Sequence, residues 1–424
     1  GGSITSTGAD SNATGSQNAM NDGAAISLVN RGYPGGVPSA EIRGGTAAAT
    51  GLNALAVKAY DYSNNDSVKE WTKAGDNIQI SGGTFSEEVK KEYCADGYTL
   101  TRQADGTYSV KETVYEASIG ETKYETFAEA VAAVADGGTI TLLQDVTVGS
   151  PVAVNGKSIL LDLNGKTVTG INTDTNSVFT VYSGSGLTLM NGTVAASNSG
   201  GAITTRGTVM LQNVAVKGSA KKTALISVNT GAEVTVDANS SVITMDGAAY
   251  PAIIMNRNTD GGVKTLNVYG KVAATGWPGI QGNGADQDTS YVNIYSSASV
   301  TSNKLAMYLP QKCIVNVSGT VSGYCGIGIK SGTLNISGGL VQGTEKDNLI
   351  GDQYSTTDGI NFDGSAILVD SYIGYAGNVK INITGGKVQS LYSTAIREIG
   401  NDASKTLMVS LNVSGGEVYG ASGA

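Results

Sequence analysis

One short pattern of alternating residues recurs along most of the chain and limits the folds that the chain can adopt. It reads apolar–polar–apolar and is followed by Ser, Thr, Tyr, Asn or Gly. The spacings between the middle residues of successive copies include 21, 26, 26, 23, 19 and 30 residues. Alternation of this kind is typical of a strand with one buried face. The copies are residues 140–142, 161–163, 187–189, 234–236, 266–268, 292–294, 315–317, 334–336, 381–383 and 411–413.

A second short strand pattern lies between these copies, at residues 252–255, 305–309, 326–329 and 366–369, and glycine pairs separate the patterns. Two or three short strands in every ~19–30 residues predict the coil of a parallel β-solenoid, in which stacking buries the apolar stripe. A propeller or a sandwich is the alternative. Sandwich hairpins are disfavoured because Asn-Gly and Asp-Gly turns are not spaced regularly. The glycine pairs are Gly338-Gly339, Gly385-Gly386 and Gly415-Gly416.

The composition excludes several function classes. The 424 residues include 59 glycines and no histidine, so catalysis and metal binding by histidine are excluded. Lys and Arg number 27 against 36 Asp and Glu, and the net charge of −9 argues against nucleic acid or an anionic membrane as partner. No apolar run approaches the ~18–20 residues of a membrane span. The chain has only three cysteines, Cys94, Cys313 and Cys325, so we expect buried free thiols and no disulfide framework. Cys313 and Cys325 could still lie close enough to form one disulfide.

A short amphipathic helix is predicted at residues 126–136. Thr126 and Glu129 form a capping-box pattern, and Phe127, Val131 and Val134 give one apolar face. A glycine pair at 137–138 ends the helix, and a strand follows directly. This arrangement resembles the N-terminal cap of right-handed parallel β-helix proteins of the pectate-lyase-like superfamily.

The resemblance covers residues 124–424 and, less cleanly, 1–85, and it extends to large repetitive adhesin-like surface proteins of gut Firmicutes. It implies an all-β, right-handed parallel β-helix with a short capping helix and a small α+β junction module. It also implies an extracellular, bacterial cell-surface location. Pectate lyases, pectin methylesterases and phage tailspikes share this architecture, so the fold alone does not determine activity.

The end of the chain resembles its beginning, which predicts a longer tandem repeat of roughly 335 residues. Matching segments lie 341, 341 and 333 residues apart. We therefore predict the last coils of one β-helix unit at 1–85, a junction of a helix and hairpins at 86–125, and a second unit at 126–424. Alternatively, residues 1–85 add coils to the second unit. Because the chain starts without methionine and stops after a glycine turn, we expect it to be part of a longer protein.

Six asparagines occupy the middle of the repeated strand, where the side chain should face outward. A polar column of amides can bind carbohydrate, because an amide both donates and accepts hydrogen bonds, or it can stabilise only itself. Aromatic residues in turns are further candidates for stacking on sugars, or they pack the loops onto the coils. The candidates are Asn267, Asn293, Asn316, Asn335, Asn382 and Asn412, with Tyr33, Trp277, Tyr372 and Tyr375.

Two sets of charged residues are weaker candidates. Carboxylates in loops suit Ca²⁺, the one cofactor for which the sequence offers ligands, but their spacing matches no known calcium loop and solvated loops explain them as well. Arg397 and Glu398 lie where other coils carry an apolar residue, so they form either a catalytic pair or a bulge that returns Glu398 to solvent. The calcium candidates are Asp286, Asp288, Asp347, Asp352 and Asp358.

From the sequence we expect a non-enzymatic extracellular stalk or adhesin segment. Its partners would be glycans, host surface proteins and neighbouring repeat units of the same chain. The alternative is a polysaccharide lyase or glycoside hydrolase that acts along the long face of the solenoid.

Overall fold

A computed structural model describes residues 1–10, 22–32, 34–63, 69–71, 74–171, 176–196, 200–257, 260–283, 288–346, 363–371, 378–400 and 408–423. The chain divides into two compact units, Gly1–Val114 and Tyr115–Ala424. Strands account for 57% of the residues and helix for 4%, so the fold is all-β, as predicted. In the described ranges, no helix is both long enough and apolar enough to cross a membrane.

The first unit combines parallel and antiparallel pairing. Strands β1, β3 and β6 are parallel, and an antiparallel hairpin of β7 and β8 covers the end of β6. Strands β2 and β4 are parallel, and β5 pairs antiparallel with β4. The strands are β1 Ser3–Ser6, β2 Ile26–Asn30, β3 Ala40–Ala49, β4 Val57–Asp61, β5 Lys69–Glu70, β6 Ile78–Phe85, β7 Tyr98–Arg102 and β8 Tyr108–Glu112, with 3₁₀ turns at Ala74–Asp76 and Lys91–Tyr93.

The second unit begins with an antiparallel pair, β9 and β10, and one helix, and continues as strands. Its elements are β9 Ala117–Ile119, β10 Thr122–Tyr124, α1 Phe127–Ala133, β11 Thr139–Leu142, β12 Val146–Val148, β13 Val152–Val154, β14 Ser158–Asp162, β15 Thr167–Gly170, β16 Ser177–Val181, β17 Gly186–Ala196, β18 Gly201–Thr205, β19 Thr208–Gly218, β20 Ile226–Val228, β21 Glu233–Val236, β22 Ser241–Thr244, β23 Ile253–Met255, β24 Val263–Val268, β25 Lys271–Ala274, β26 Ile280–Gln281, β27 Thr289–Ile294, β28 Ser299–Leu309, β29 Cys313–Val317, β30 Thr320–Ile329, β31 Gly332–Gly343, β32 Ile367–Ser371, β33 Val379–Ser390, β34 Ile396–Gly400 and β35 Val409–Gly420.

From β11 onward the strands form a solenoid-like arrangement of three parallel ladders. In each ladder a strand pairs with the equivalent strand of the next coil. The first ladder runs β11, β14, β17, β19, β21, β24, β27, β29, β31, β33, β35. The second runs β12, β15, β17, β19, β22, β25, β28, β30, β31, β33, β35. The third runs β13, β16, β18, β20, β23, β26, β28, β30, β32, β34.

The alternating apolar residues of the first ladder form a continuous core column. Each member stacks on the equivalent residue of the next coil, and all are at most 1% exposed. Burying each aliphatic side chain contributes roughly 1.5–3 kcal/mol, so the stacked coils, and not the single strands, stabilise the unit. The column is Ile140, Leu161, Leu189, Leu211, Val236, Val268, Ile294, Val317, Ile336 and Ile383.

Helix α1 covers the first coil and carries the predicted capping box. The Thr126 hydroxyl accepts from the Glu129 amide at 3.2 Å, and the Glu129 carboxylate accepts from the Thr126 amide at 3.1 Å. Phe127 and Val134 are each 3% exposed and belong to the core. The helix is shorter than the predicted 126–136 because Val134 already has extended backbone angles. The Lys157 ammonium donates to the Val134 carbonyl at 2.9 Å and thereby satisfies one of the last carbonyls.

The corners between the first and second ladders depend on residues that tolerate positive φ. Asn164, Asn191 and Asn213 have φ of 49°, 54° and 58° in the early coils. In a later coil Gly386 has φ of 76°, and an added Cβ would lie 2.5 Å from the carbonyl carbon of Gly338. Glycine is therefore required there both by the backbone angle and by the close approach of the neighbouring coil.

All three cysteines are free thiols, and two of them are buried as expected, whereas Cys94 is only half-buried. Cys313 and Cys325 are fully buried and both are free, so the disulfide that the sequence left open is not formed. Burial raises the pKa of the Cys313 thiol to about 12, which keeps it protonated and unreactive near neutral pH.

Candidate functional site

The six candidate asparagines lie opposite one another in six successive strands of the first ladder. Each inner amide N–H₂ donates to the amide oxygen of the preceding coil, at 2.8 Å from Asn293 to Asn267 and 2.8 Å from Asn316 to Asn293. The chain continues at 2.9 Å from Asn335 to Asn316 and 2.8 Å from Asn382 to Asn335. It is an unbroken column of side-chain hydrogen bonds along one face of the second unit.

The column begins at a carboxylate and ends at an exposed amide. The Asn267 amide donates to Oε1 of Glu233 at 3.1 Å, so the acceptor of the first hydrogen bond in the column is a carboxylate. Asn412 lies in register with Asn382, but its side chain makes no hydrogen bond within the described ranges. An amide has two N–H donors and two acceptor lone pairs. Each inner asparagine therefore retains one donor and one acceptor that the column does not use.

Two tyrosines extend this polar surface. Tyr269 and Tyr295 each follow a column asparagine by two residues, and their rings stack with centroids 3.9 Å apart and planes 3° apart. A hydrogen bond with Tyr269 and then partial burial raise the pKa of Tyr295, so the Tyr295 phenol stays neutral near pH 7. The sequence analysis missed this pair, although the recurrence of Asn-x-Tyr in consecutive copies signals it. We define the asparagine face as Glu233, Asn267, Asn293, Asn316, Asn335 and Asn382 with Tyr269 and Tyr295.

A second asparagine column lies at the corner of the early coils and was also missed. Asn213 donates to the amide oxygen of Asn191 at 3.2 Å, and Asn191 donates to Oδ1 of Asp162 at 3.2 Å. The two asparagines line an open recess of about 360 Å³ together with Gly165, Thr193 and Asn239. The sequence signal was the Asn-Gly pairs at 164–165 and 191–192, which here form corners and not hairpins.

Asp288, a predicted calcium ligand, lies in a buried polar cluster. Its Oδ2 accepts from the Thr230 hydroxyl at 2.6 Å, and its Oδ1 accepts from the Gly262 amide at 2.7 Å. The Lys264 ammonium is 3.7 Å from Oδ2, and both charged side chains are fully buried. Burial opposes ionisation of Asp288, but the hydrogen bonds from Thr230 and Gly262 and the charge of Lys264 together hold its pKa below the usual value. These contacts are with Thr230, Gly262 and Lys264 of the protein itself, so they give Asp288 a structural role in joining neighbouring segments.

The other calcium candidates, Asp286, Asp347, Asp352 and Asp358, lie outside the described residues. Within the ranges that the structure describes, no group of three or more Asp, Glu, Cys or His side chains is close enough to hold a metal ion.

Trp277 contributes to packing. Its indole N–H donates to the Gln281 side chain at 2.6 Å, and its ring packs against a small apolar cluster outside the main core. That cluster contains Leu305, Tyr308 and Cys325. The remaining aromatic candidates, Tyr33, Tyr372 and Tyr375, are outside the described residues.

Arg397 pairs with an aspartate that the sequence analysis did not assign to it. Its guanidinium is 3.1 Å from Oδ2 of Asp363, which is fully buried. Glu398 is exposed and lies in register with Val369 without a bulge. In the first unit, Lys58 occupies the matching position of β4 and forms an ion pair with Asp10. A cation paired with a carboxylate therefore recurs on the same strand position in both units.

The Tyr115–Ala424 unit thus presents a self-bonded asparagine face, an asparagine-lined recess and two buried or half-buried ion pairs. No protein-family model, curated protein or solved structure matches the chain.

Proposed function

We propose that the chain is a non-enzymatic segment of an extracellular stalk or adhesin on a bacterial cell surface, built from tandem right-handed parallel β-helix units. One observation supports it above the others, namely that a strand with a Gly-Gly corner occurs in each of the two compact units. In both, the strand that contains the Gly-Gly corner pairs in parallel with a neighbouring strand, and the second glycine has positive φ, at Gly45 of β3 in the first unit and Gly386 of β33 in the second. Repetition of a complete coil is how solenoid proteins gain length.

A stalk needs a rigid unit whose length grows with each coil. In the first ladder, eleven strands from β11 to β35 stack in parallel. At about 4.8 Å per strand this stack extends roughly 50 Å. The core column runs along that direction through the stacked coils, and the asparagine column runs beside it from β24 to β33, so these later coils are joined by apolar contacts on the inside and by side-chain amide hydrogen bonds on the outside.

The asparagine face is the proposed contact surface for glycans or host surface proteins. Its inner amides keep one donor and one acceptor each, repeated at the strand spacing of about 4.8 Å. The edges of the stacked Tyr269 and Tyr295 rings add an apolar element beside Asn267 and Asn293. A periodic row of donors and acceptors next to aromatic surface suits a polymeric ligand with repeating hydroxyl groups.

The experiment is a glycan array probed with the full chain and with a Tyr295→Ala, Asn293→Ala variant. We expect binding by the full chain and loss of that binding in the variant. The matched control is Asn155→Ala, an exposed asparagine that is not part of the asparagine face and whose side chain makes no hydrogen bond with the residues that the structure describes. Circular dichroism must show that both variants are folded. Equal binding by all three proteins would exclude the asparagine face as the contact surface.

The same preparations should be incubated with uronic-acid polymers and neutral polysaccharides. We expect no release of unsaturated or reducing ends. Product that increases with protein concentration would refute the non-enzymatic role in favour of a polysaccharide lyase or glycoside hydrolase.

A further inference from the structure

The recess between the first and second ladders lies where the corner of the coil changes length. In the second and fifth coils, four residues separate the first-ladder strand from the second-ladder strand, at 163–166 and 237–240. In the third and fourth coils, β17 and β19 pass through the corner as single strands that bend at Asn191 and Asn213, with φ of 54° and 58°. Two tight corners therefore lie between two wider ones, which are three strand spacings or about 14 Å apart.

The recess is large enough for a small ligand, and residues of all four corners line it. Its volume of about 360 Å³ lies within the ~300–1,000 Å³ of small-molecule sites. Gly165 of the first wide corner has φ of 75°, and an added Cβ would meet no atom within 4 Å, so the space beside it is open. Thr193 and Ala215 lie opposite each other in register, and their small side chains leave room for a ring. The polar side chains that line the recess are Asn191, Thr193, Asn213 and Asn239.

These polar side chains keep hydrogen-bonding groups that the protein does not use. Asn191 donates one N–H to Asp162 and accepts once from Asn213, so it retains one N–H and one lone pair. The side-chain oxygen of Asn213 accepts no hydrogen bond from the described residues. The side chains of Asn239 and Thr193 make no hydrogen bond with the part of the chain that the structure describes. The recess therefore offers donors and acceptors together, which suits hydroxyl groups because a hydroxyl both donates and accepts.

The charges at the four corners favour a neutral ligand. They comprise two carboxylates, Asp162 and Asp237, against one lysine, Lys166. Oδ1 of Asp237 accepts from the backbone amides of Asn213 and Asn239 at 3.2 and 3.1 Å, which holds this carboxylate beside two lining residues. The excess of negative charge disfavours a ligand that carries a carboxylate, sulfate or phosphate.

We propose that this recess binds one neutral pyranose unit, with its hydroxyls on the unused amide groups of Asn191, Asn213 and Asn239. The site goes beyond the proposed contact surface, because the asparagines that line it lie on β17, β19 and the 237–240 turn, whereas the asparagine column of the face begins at Asn267 of β24. It does not depend on whether the asparagine face binds glycans.

The test is a ligand-observed NMR titration of the full chain with the methyl glycosides of glucose, galactose, mannose and N-acetylglucosamine. We expect saturable binding of at least one of them. The charged probe is methyl glucuronide, which should bind roughly twofold to fivefold more weakly than methyl glucoside because of the nearby carboxylates. Stronger binding of the glucuronide, or no saturable binding of any neutral glycoside, would overturn the proposal.

Two variants locate the binding. Ala215→Phe fills the recess and should abolish saturable binding. Its matched control is Ala273→Phe, another half-buried alanine in the second ladder that lies outside the recess and should bind like the parent. Asn239→Ala removes a side chain that makes no hydrogen bond with the described residues, and it should weaken binding roughly twofold to tenfold without loss of Tm. If Ala215→Phe does not fold, the Asn239→Ala titration decides.

The Tyr295→Ala, Asn293→Ala variant separates this site from the asparagine face. We expect it to bind the neutral glycosides like the parent, whatever the glycan array shows. Loss of binding in that variant, with binding retained in Ala215→Phe and Asn239→Ala, would assign the sugar to the asparagine face and would overturn the proposal. Equal loss in Ala215→Phe and Ala273→Phe, with Asn239→Ala unchanged, would overturn it as well.

Discussion

Replacing Asn316 by alanine tests whether the asparagine column stabilises the second unit. Asn316 donates to Asn293 at 2.8 Å and accepts from Asn335 at 2.9 Å, so the substitution removes two hydrogen bonds at once. A net hydrogen bond contributes about 0.5–1.5 kcal/mol. Because Asn316 is exposed and water can reach the two groups left behind, the lower half of that range applies. We expect a loss of about 1–2 kcal/mol, which corresponds to a fall in Tm of about 1.5–3 °C for a unit of this size.

The assay is urea unfolding followed by circular dichroism, with Asn412→Ala as the matched control. Asn412 has the same strand position and exposure class but makes no side-chain hydrogen bond in the described ranges, so its substitution should change the unfolding free energy by less than about 0.5 kcal/mol. A double-mutant cycle between Asn293→Ala and Asn316→Ala should give a coupling of about 0.5–1 kcal/mol.

The Asn316→Asp variant tests the same asparagine column more stringently than Asn316→Ala, because it replaces the donor by a charged acceptor. A carboxylate cannot donate to the Asn293 oxygen and repels it, so this variant should be less stable than Asn316→Ala near pH 7. Facing an acceptor raises the folded-state pKa of the new carboxyl, and stability should therefore recover as pH falls towards about 4, where the acid protonates and donates again. If Asn316→Ala matches Asn412→Ala in stability and the cycle is additive, the column does not stabilise the fold and the reasoning is wrong.

Three further predictions concern other parts of the fold. Asp288→Leu should cost about 3–5 kcal/mol because it leaves the Lys264 ammonium buried without its carboxylate, whereas the double variant with Lys264→Met should lose less stability in the same unfolding titration, because only the neutral Thr230 hydroxyl and Gly262 amide then lose their acceptor. Because the folded-state pKa of Asp288 is lowered, its stabilisation is complete above about pH 4 and is lost as pH falls further, so acid titration should destabilise the parent protein more than the double variant. Gly386→Ala should cost at least about 1–2 kcal/mol from its positive φ and close backbone contact, while Gly149→Ala, in open space, should be neutral by thermal unfolding. Thr126→Ala removes the capping box and should lower the unfolding free energy by about 1 kcal/mol. Hydrogen–deuterium exchange of the α1 amides should become faster in this variant, and unchanged exchange would contradict a stabilising role of the cap.

The strands, their faces and the capping box were predictable because each depends on neighbours in sequence. The alternation in the 292–294 triplet places Asn293 opposite to its apolar neighbours, and the structure has Val292 and Ile294 buried with Asn293 partly exposed. The capping box at Thr126 and Glu129 spans only three residues. Such features follow from backbone geometry that a short segment carries with it.

The roles of Asp288 and Trp277 were not predictable in the same way. Asp288 accepts a hydrogen bond from Thr230, which is 58 residues away, and a loop of Asp, Asn and Gly in the sequence gives no sign of that partner. Trp277 precedes proline in a turn, and the sequence left stacking on sugars and packing onto the coils equally open, whereas the structure packs it on Leu305 and Cys325 of later coils. Both depend on which coil lies next to which.

The sequence by itself determined three properties of this chain: apolar and polar residues alternate along its strands, the chain turns at glycines, and the apolar faces of the strands must be buried by stacking on one another. Only the tertiary structure decided the register of that stacking. The triplet at 161–163 matches the one at 187–189 by pattern, yet Leu161 pairs with Leu189, two residues further on. A shift of two residues keeps every apolar side chain inward, so burial alone does not distinguish the two registers. The register is decided by contacts between neighbouring coils that are distant in sequence, such as the hydrogen bond from Asn382 to Asn335 across 47 residues, and these contacts exist only after the coils have stacked.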